Sequence, residues 1–234
     1  MNKLVILHLQ SFNDLLSVWN ATNAIPLEID IIDNKIGGLI PGFIHIIWGD
    51  SGGGKSRFCL KSILQIFRKD KTIKILYCDH SGNLRLSILS RIFSSDELES
   101  ITFFNPKTLL EQLIYFRELT ESGCLFNLII IDTLFGSPLN FSKFFQHEKL
   151  FWEKKIFEHL LDLKYIAENS KVPILTTVYK GDSENNSINW KIYESLLQAF
   201  SPIHFILEKE NSIFKIVLKI FNKSIGSSQS SLLS

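Results

Sequence analysis

The residues from Gly49 to Ser56 have the types and spacing needed to hold a phosphate chain. They read Gly-Asp-Ser-Gly-Gly-Gly-Lys-Ser and match the pattern G-x-x-x-x-G-K-[ST] in full. Glycines let the backbone turn tightly, so that successive N–H groups point into one nest for phosphate oxygens. Lys55 supplies the charge that reaches the β- and γ-phosphates, and the Ser56 hydroxyl suits Mg²⁺. We therefore predict ATP and Mg²⁺ as ligands, with Lys55 also catalytic. The predicted nucleotide contacts are Gly49, Asp50, Ser51, Gly52, Gly53, Gly54, Lys55, Ser56 and Arg57.

A second anchor for magnesium is predicted at Asp132. Mg²⁺ in sites of this kind is held by a hydroxyl of the phosphate loop and by an Asp at the end of a strand. The run Leu-Ile-Ile-Ile-Asp at 128–132 has that pattern, since four apolar residues precede the carboxylate. In open α/β folds ligands collect at the carboxyl ends of the strands. The sequence therefore predicts that Ser56 and Asp132 hold the metal together.

These residues need a sheet and helices to position them, and the hydrophobic pattern predicts both. A β-rich run at 43–48 precedes the loop, and a helical pattern at 55–68 follows it. The alternation continues to the end of the chain, which indicates a mainly parallel sheet with helices on both faces. The last two runs predict an antiparallel hairpin. The other predicted strands are 73–78, 101–104, 126–131, 172–178, 203–207 and 213–221, and the other helices are 11–19, 84–93, 109–119 and 141–167.

Length and composition fit one folded domain. The chain has 234 residues, of which 45% are hydrophobic and 21% charged, and this balance excludes global disorder. We predict a single core over 1–234, with an N-terminal segment at 1–35, including an irregular acidic stretch at 26–33, and a flexible tail at 224–234. Three scattered cysteines indicate reduced thiols, hence a cytoplasmic protein, or a nuclear one in a eukaryote. No apolar run approaches the roughly 18 residues of a membrane span, and no membrane partner is expected.

Charge is distributed unevenly along the chain. Residues 51–95 contain nine Lys/Arg against two Asp, whereas residues 96–200 contain ten basic and fifteen acidic groups. A basic block beside a phosphate loop could serve nucleotide or nucleic acid, or could simply be a solvated helix face. Arg85 and Arg91 in this block could meet a phosphate, a partner subunit or solvent.

Several further segments, in order, resemble the RecA/RadA recombinase family. Residues 36–42, Ile-Gly-Gly-Leu-Ile-Pro-Gly, are similar to its GGG-I-x-x-G lead-in. Residues 75–85, Ile-Leu-Tyr-Cys-Asp-His-Ser-Gly-Asn-Leu-Arg, resemble its YIDTEG-x-F/L-R element. The pair 132–133 resembles its Asp-Ser/Thr strand end, and segments 172–179 and 219–223 resemble its final strands. The resemblance covers roughly 33–226 and is strongest to the archaeal RadB group and to short recombinase paralogues.

This resemblance implies an ATP-binding RecA-like core that assists DNA recombination or repair. The partners it implies are a nucleotide, single-stranded DNA, and another recombinase-type subunit or a second copy of the chain. Two departures qualify the expectation. The Glu of YIDTEG, which orients the attacking water in the family, is replaced by Ser81, so we predict slow hydrolysis. The Gln of T-N-Q-V, which couples the γ-phosphate to the DNA-binding loop, has no amide counterpart at Thr177 and Val178.

DNA binding is expected to be weak. The loop 180–189 carries one Lys against two acidic residues, whereas phosphate-backbone binding depends on Lys and Arg. Two alternatives stay open at this point. One is a regulatory interaction protein that uses ATP as a structural ligand without binding DNA. The other is a KaiC-like RecA-fold ATPase.

Two aromatic residues near the loop admit two interpretations each. His80 could sense the γ-phosphate or could be a hydrogen-bonded loop histidine. Trp48 could contact the base or pack in the core. The other histidines, His45, His147, His159 and His204, lack metal-ligand spacing and are predicted to be structural.

Overall fold

The computed structural model describes residues 24–82, 84–136, 149–179, 188–210 and 213–221. The predicted helix at 11–19, the loop at 180–187 and the tail at 224–234 lie outside these ranges, and a single domain over 1–234 stays a prediction. The strands are β1 Ile44–Gly49, β2 Ile75–Asp79, β3 Ile101–Phe104, β4 Leu128–Asp132, β5 Ile174–Tyr179, β6 Ile203–Glu210 and β7 Ile213–Ile220. The helices are α1 Asp30–Ile36, α2 Lys55–Lys69, α3 Leu86–Ile92, α4 Ser95–Glu99, α5 Leu109–Ser122, α6 Lys149–Ser170 and α7 Ile188–Phe200.

The seven strands form one sheet in the order β3-β2-β4-β5-β1-β6-β7. Strands β1 to β6 pair in parallel, and β6 with β7 forms the predicted antiparallel hairpin. The predicted fold class is therefore confirmed. Strand β4 lies between β2 and β5, which places the end of β4 beside the ends of both neighbours. This order decides which side chains can meet Asp132.

Each face of the sheet is covered by helices and holds its own core, because successive side chains of a strand point to opposite faces. The first core joins α1 and α2 to side chains such as Tyr77, Ile130 and Leu175. The second core joins α5, α6 and α7 to their strand neighbours, such as Cys78 and Ile131. Strands that are buried on both faces explain the long apolar runs of the sequence.

Three helices were missed or misassigned by sequence reasoning. The acidic stretch predicted as irregular at 26–33 overlaps the first half of α1, whose Asp33 carboxylate accepts hydrogen bonds from the N–H groups of Leu27 and Ile29. The short helix α4 begins with a capping box between Ser94 and Glu97. Helix α7 begins at Ile188, within the loop that was predicted at 180–189, and sequence reasoning assigned no element to the segment after that loop. The long helix ends three residues later than predicted, at Ser170, and its predicted start lies outside the described residues.

Candidate nucleotide-binding site

The predicted phosphate loop connects β1 to α2, as the family pattern requires. Gly52 and Gly54 have φ angles of +71° and +86°, a backbone conformation that side chains with a Cβ rarely adopt. At Gly53 a Cβ would lie 2.9 Å from the carbonyl oxygen of Asp50. The glycines therefore permit a turn that other residues would block. No side chain caps the start of α2, so the helix presents its first N–H groups and its partial positive charge to the loop.

Lys55 lies at the first position of α2 and is 9% exposed. Its Nζ donates to the carbonyl oxygens of Gly49 at 2.7 Å and Asp50 at 2.8 Å. The ammonium also lies 5.6 Å from the centroid of the Tyr179 ring. Burial lowers the pKa of Lys55, while the charges of Asp132 and Asp50 act in the opposite direction. The side chain is thus held across the mouth of the loop, within the field of Asp132.

Asp132 ends β4 and is 1% exposed. Its Oδ1 accepts a hydrogen bond from the hydroxyl of Thr177 on β5 at 2.6 Å, and its Oδ2 accepts one from the hydroxyl of Tyr77 on β2 at 3.0 Å. The alternation of the strands directs all three side chains to the face covered by α2. Sequence reasoning identified Asp132, but it did not predict that the hydroxyls of Tyr77 and Thr177 donate to its carboxylate.

Ser81 belongs to a tight loop that follows β2. Its hydroxyl donates to Asp79 Oδ1 at 2.6 Å, and the same carboxylate accepts from the N–H groups of Gly82 and Leu84, both at 2.9 Å. The Ser81 N–H donates to the carbonyl oxygen of Asp132 at 3.1 Å. Ser81 therefore lies beside Asp132, and Asp79 fixes the shape of its loop.

Each of the two aromatic residues near the loop has a hydrogen-bond partner within the protein. His80 Nδ1 lies 2.6 Å from Gln112 Oε1 on α5, which makes it a hydrogen-bonded loop histidine. Gln112 Nε2 in turn donates to the carbonyl oxygen of Leu134 at 2.7 Å. Trp48 is 6% exposed and donates its indole N–H to His204 Nδ1 at 2.9 Å, so it packs in the core. No sequence signal marked Gln112.

A cavity of about 450 Å³ joins the predicted site residues. Its polar lining brings together Ser56 and Arg57 from α2, Ser81 from the β2 loop, and Asp132 from β4. Its remaining lining is Leu60, Lys61, Leu64, Leu84, Ile88 and Ile92. Four predicted site residues from three parts of the chain therefore share one opening. Arg85 and Arg91 are solvent-exposed.

The donor set suits magnesium better than a transition metal. A serine hydroxyl and an aspartate carboxylate are hard oxygen ligands, which Mg²⁺ prefers, and it typically completes its shell with water and phosphate oxygens. Among the described residues no group of three or more His, Cys, Asp or Glu side chains could hold a metal ion. The residues present thus fit a metal that is bound jointly with a phosphate chain.

Fold and site together define a RecA-like P-loop core. The solved structure of a RadB recombinase superposes with a TM-score of 0.63 over 83% of this chain and 88% of that one, at 19% identity. The DNA repair and recombination protein RadB of Thermoplasma volcanium is 28% identical over 169 residues, which are 69% of this chain and 68% of that protein. No family model matches the chain. The resemblance to RecA/RadA recombinases, and to RadB among them, is confirmed.

The described residues contain no helix that is long and apolar enough to cross a membrane.

Proposed function

We propose that this chain is an ATP-binding RecA-like protein that assists DNA recombination or repair, with weak ATP hydrolysis and weak binding of single-stranded DNA. The observation that carries the proposal is the phosphate loop at the start of α2, whose last residue, Ser56, lines one cavity together with Asp132. The similarity to RadB, a protein named for DNA repair and recombination, supports the process.

Nucleotide binding follows from the loop and the first turn of α2. Uncapped N–H groups at a helix start are ready donors for phosphate oxygens. Lys55 adds a positive charge near the same point, and no acidic residue lies in the first turn of α2 to oppose an anion. Neutralisation of the phosphate charge is the chemistry that Mg²⁺ would supply when bound. Ser56 and Asp132 are the residues that would hold it.

Slow hydrolysis follows from the surroundings of Ser81. A hydroxyl is a poor proton acceptor near neutral pH, so it can orient a water molecule but cannot act as a carboxylate base. Asp79 is the nearest carboxylate, and its two oxygens accept three hydrogen bonds that shape the loop. The carboxylate of Asp79, the nearest group that could replace the missing Glu, therefore already accepts the hydrogen bonds that stabilise this loop.

DNA binding rests on the basic residues rather than on the loop 180–189. On β7, Lys215 is exposed and Lys219 partly exposed, and Arg85 and Arg91 are exposed in the basic block. Such charges attract the phosphate backbone irrespective of sequence and lose their effect as salt rises. The expected binding is accordingly weak and salt-dependent.

One experiment tests the whole proposal. The affinity of the purified chain for a fluorescent ATP analogue is measured with Mg²⁺ and with EDTA, and ATP hydrolysis is measured with and without single-stranded DNA. We expect Mg²⁺-dependent binding, slow hydrolysis and a small response to DNA. Absence of nucleotide binding under both conditions would refute the assignment of the site.

A second function is favoured by the loss of two family residues on the same side of the cavity. Ser81 takes the place of the catalytic Glu. Thr177 and Val178 offer no amide counterpart to the coupling Gln, and the Thr177 hydroxyl donates to Asp132. A chain altered in this way could use ATP as a structural ligand that fixes a partner interface, without binding DNA. Nucleotide binding that neither leads to turnover nor promotes any DNA binding at low salt would favour this regulatory function. The comparisons support a RadB-like protein over the KaiC-like alternative.

A further inference from the structure

The carboxylate of Asp132 is held on both oxygens by hydroxyl groups from the two neighbouring strands. We propose that Tyr77 and Thr177 are positioning residues that fix this carboxylate for the metal and thereby set the Mg²⁺ dependence of nucleotide binding. The inference rests on the proposed function, because it concerns the same site.

The topology explains why these two side chains meet Asp132. Strand β4 lies between β2 and β5, and Asp79 of β2 pairs with Asp132. Tyr77 lies two residues earlier on β2 and therefore points to the same face as Asp132. On the other side Ile131 pairs with Thr176, so Thr177 stands next to Asp132. One donor thus arrives from each neighbouring strand, and the three side chains are almost completely buried.

The two hydroxyl donors act together as a clamp on the carboxylate of Asp132. The Thr177 hydroxyl donates to Oδ1 at 2.6 Å, and the Tyr77 hydroxyl donates to Oδ2 at 3.0 Å. A tyrosine hydroxyl, with its ordinary pKa of about 10, is protonated near neutral pH and can therefore donate to the carboxylate. A carboxylate has about four lone-pair positions. Two hydroxyl donors leave room for a metal ion or its water while fixing the plane of the group.

The clamp is distinct from ordinary core packing. Rotation of a carboxylate that lacked these donors would move its oxygens relative to Ser56, the other predicted metal ligand. Ordered partners behind a metal ligand generally tune metal affinity, because they orient the ligand before the metal arrives. Tyr77 and Thr177 have that relation to Asp132, and neither lines the cavity itself.

Strand β5 offers a matched control. The Thr176 side chain is also fully buried, but its hydroxyl donates to the backbone carbonyl of Ile131 at 3.1 Å. Thr176→Val therefore removes a buried hydroxyl one residue away without touching the carboxylate. Thr177→Ser keeps the hydroxyl and removes only a methyl group, whereas Thr177→Val removes the hydroxyl at nearly constant volume.

The test measures the affinity for a fluorescent ATP analogue over a series of free Mg²⁺ concentrations and in EDTA. We expect Tyr77→Phe and Thr177→Val to raise the half-saturating Mg²⁺ concentration about tenfold or more, as the loss of partners behind a metal ligand generally does. Affinity in EDTA should be unchanged, and Thr177→Ser and Thr176→Val should behave like wild type. Thermal unfolding identifies any variant that fails to fold. If Tyr77→Phe or Thr177→Val does not fold, the Mg²⁺ dependence of the other variant decides the test.

The outcomes separate the inference from the proposed function. If wild type binds the nucleotide with Mg²⁺ dependence and the folded hydroxyl deletions show the same dependence, the clamp is refuted while the site stands. An equal loss in Thr176→Val would also refute it, since the effect would then come from β5 packing. If wild type does not bind the nucleotide, the proposed function is refuted, and the proposed role of Tyr77 and Thr177 in metal binding is refuted with it.

Discussion

The two sides of the cavity differ in how closely they follow the recombinase pattern. On the phosphate-loop side, residues 49–56, each fixed position of the motif is present, and the backbone geometry accounts for the glycines. The carboxylate side consists of Ser81 and Asp132, which line the cavity, and of their hydrogen-bond partners Asp79 and Thr177, which do not. Only the two aspartates follow the family. The hydroxyls of Ser81 and Thr177 donate to those two aspartates, at 2.6 Å in each case.

From this difference we expect that direct contact with the phosphates and turnover depend on separate parts of one site, with Asp132 contributing to binding through Mg²⁺. The phosphate-loop side uses backbone N–H groups and one lysine, which need no particular partner across the cavity. Turnover in the family also needs the Glu that orients the attacking water and the Gln that couples the γ-phosphate to the DNA-binding loop, each at a defined position. In this chain the hydroxyls of Ser81 and Thr177 hydrogen-bond to Asp79 and Asp132 instead. A chain of this kind can keep its affinity for the nucleotide while its rate of ATP hydrolysis falls. The predictions below test that separation.

The largest expected effect is on the stability of the fold, because a buried, neutral histidine is hydrogen-bonded behind each side of the cavity. Burial lowers the pKa of His204 to about 4 and that of His159 to about 3. His204 Nδ1 accepts from Trp48 on the strand that leads to the phosphate loop. His159 Nε2 lies 3.1 Å from the amide of Gln112 behind the carboxylate side. Protonating either acceptor nitrogen breaks these contacts.

The sign follows from the depressed pKa values. Below about pH 6.5 the unfolded chain binds protons that the folded chain does not, so stability falls as pH drops towards 4. Each histidine contributes up to about 1.4 kcal/mol per pH unit in this window. Urea unfolding between pH 7.5 and 5.0 should show the decline. His204→Gln and His159→Gln should each flatten the slope, and slopes equal to wild type would contradict the prediction.

The next effect tests the phosphate-loop side alone. Lys55→Ala removes the charge that meets the β- and γ-phosphates, and we expect ATP affinity to fall at least tenfold, about 1.4 kcal/mol. Titration calorimetry measures it. Lys69→Ala, an exposed lysine at the opposite end of the same helix and outside the cavity lining, is the control and should change affinity little. Equal affinities for wild type and Lys55→Ala would remove the nucleotide site from this loop.

A third change asks whether the carboxylate side can regain turnover. Ser81→Glu supplies a base, and we expect single-turnover hydrolysis of bound ATP to rise about tenfold, less than general-base catalysis can give. The gain is limited because the new carboxylate faces Asp79, the hydrogen-bond partner of Ser81. Fast wild-type turnover that Ser81→Glu leaves unchanged would place the base elsewhere.

The smallest effect concerns DNA, which neither side of the cavity is expected to bind strongly. We expect weak binding of single-stranded DNA, carried by the basic block or by lysines of β7. The double variant Lys215→Ala/Lys219→Ala should reduce the slope of log affinity against log salt by about 1.4, because single strands give roughly 0.7 per phosphate contact. Fluorescence anisotropy at low and moderate salt measures it. Lys180→Ala should change little, and no binding at low salt with ATP and Mg²⁺ would favour the regulatory function.

Much of the site could be predicted from sequence because its motif is local. The phosphate loop needs glycines, a lysine and a serine at fixed spacing, and the strand before and helix after it have clear periodicity. Asp132 was found because a buried strand that ends in a carboxylate is also a local pattern. The helices that were missed, such as α1 and α4, are short and polar at their starts, so periodicity had few residues to act on.

Only the tertiary structure decided what stands around those residues. Tyr77 and Thr177 meet Asp132 because β4 lies between β2 and β5, and no spacing along the chain encodes that order. Gln112 reaches both His80 and Leu134 because α5 packs across the second face of the sheet. Local chemistry fixes which atoms can bind phosphate, whereas the partners that orient those atoms come from strands and helices distant in sequence. They are brought together by strand pairing and burial.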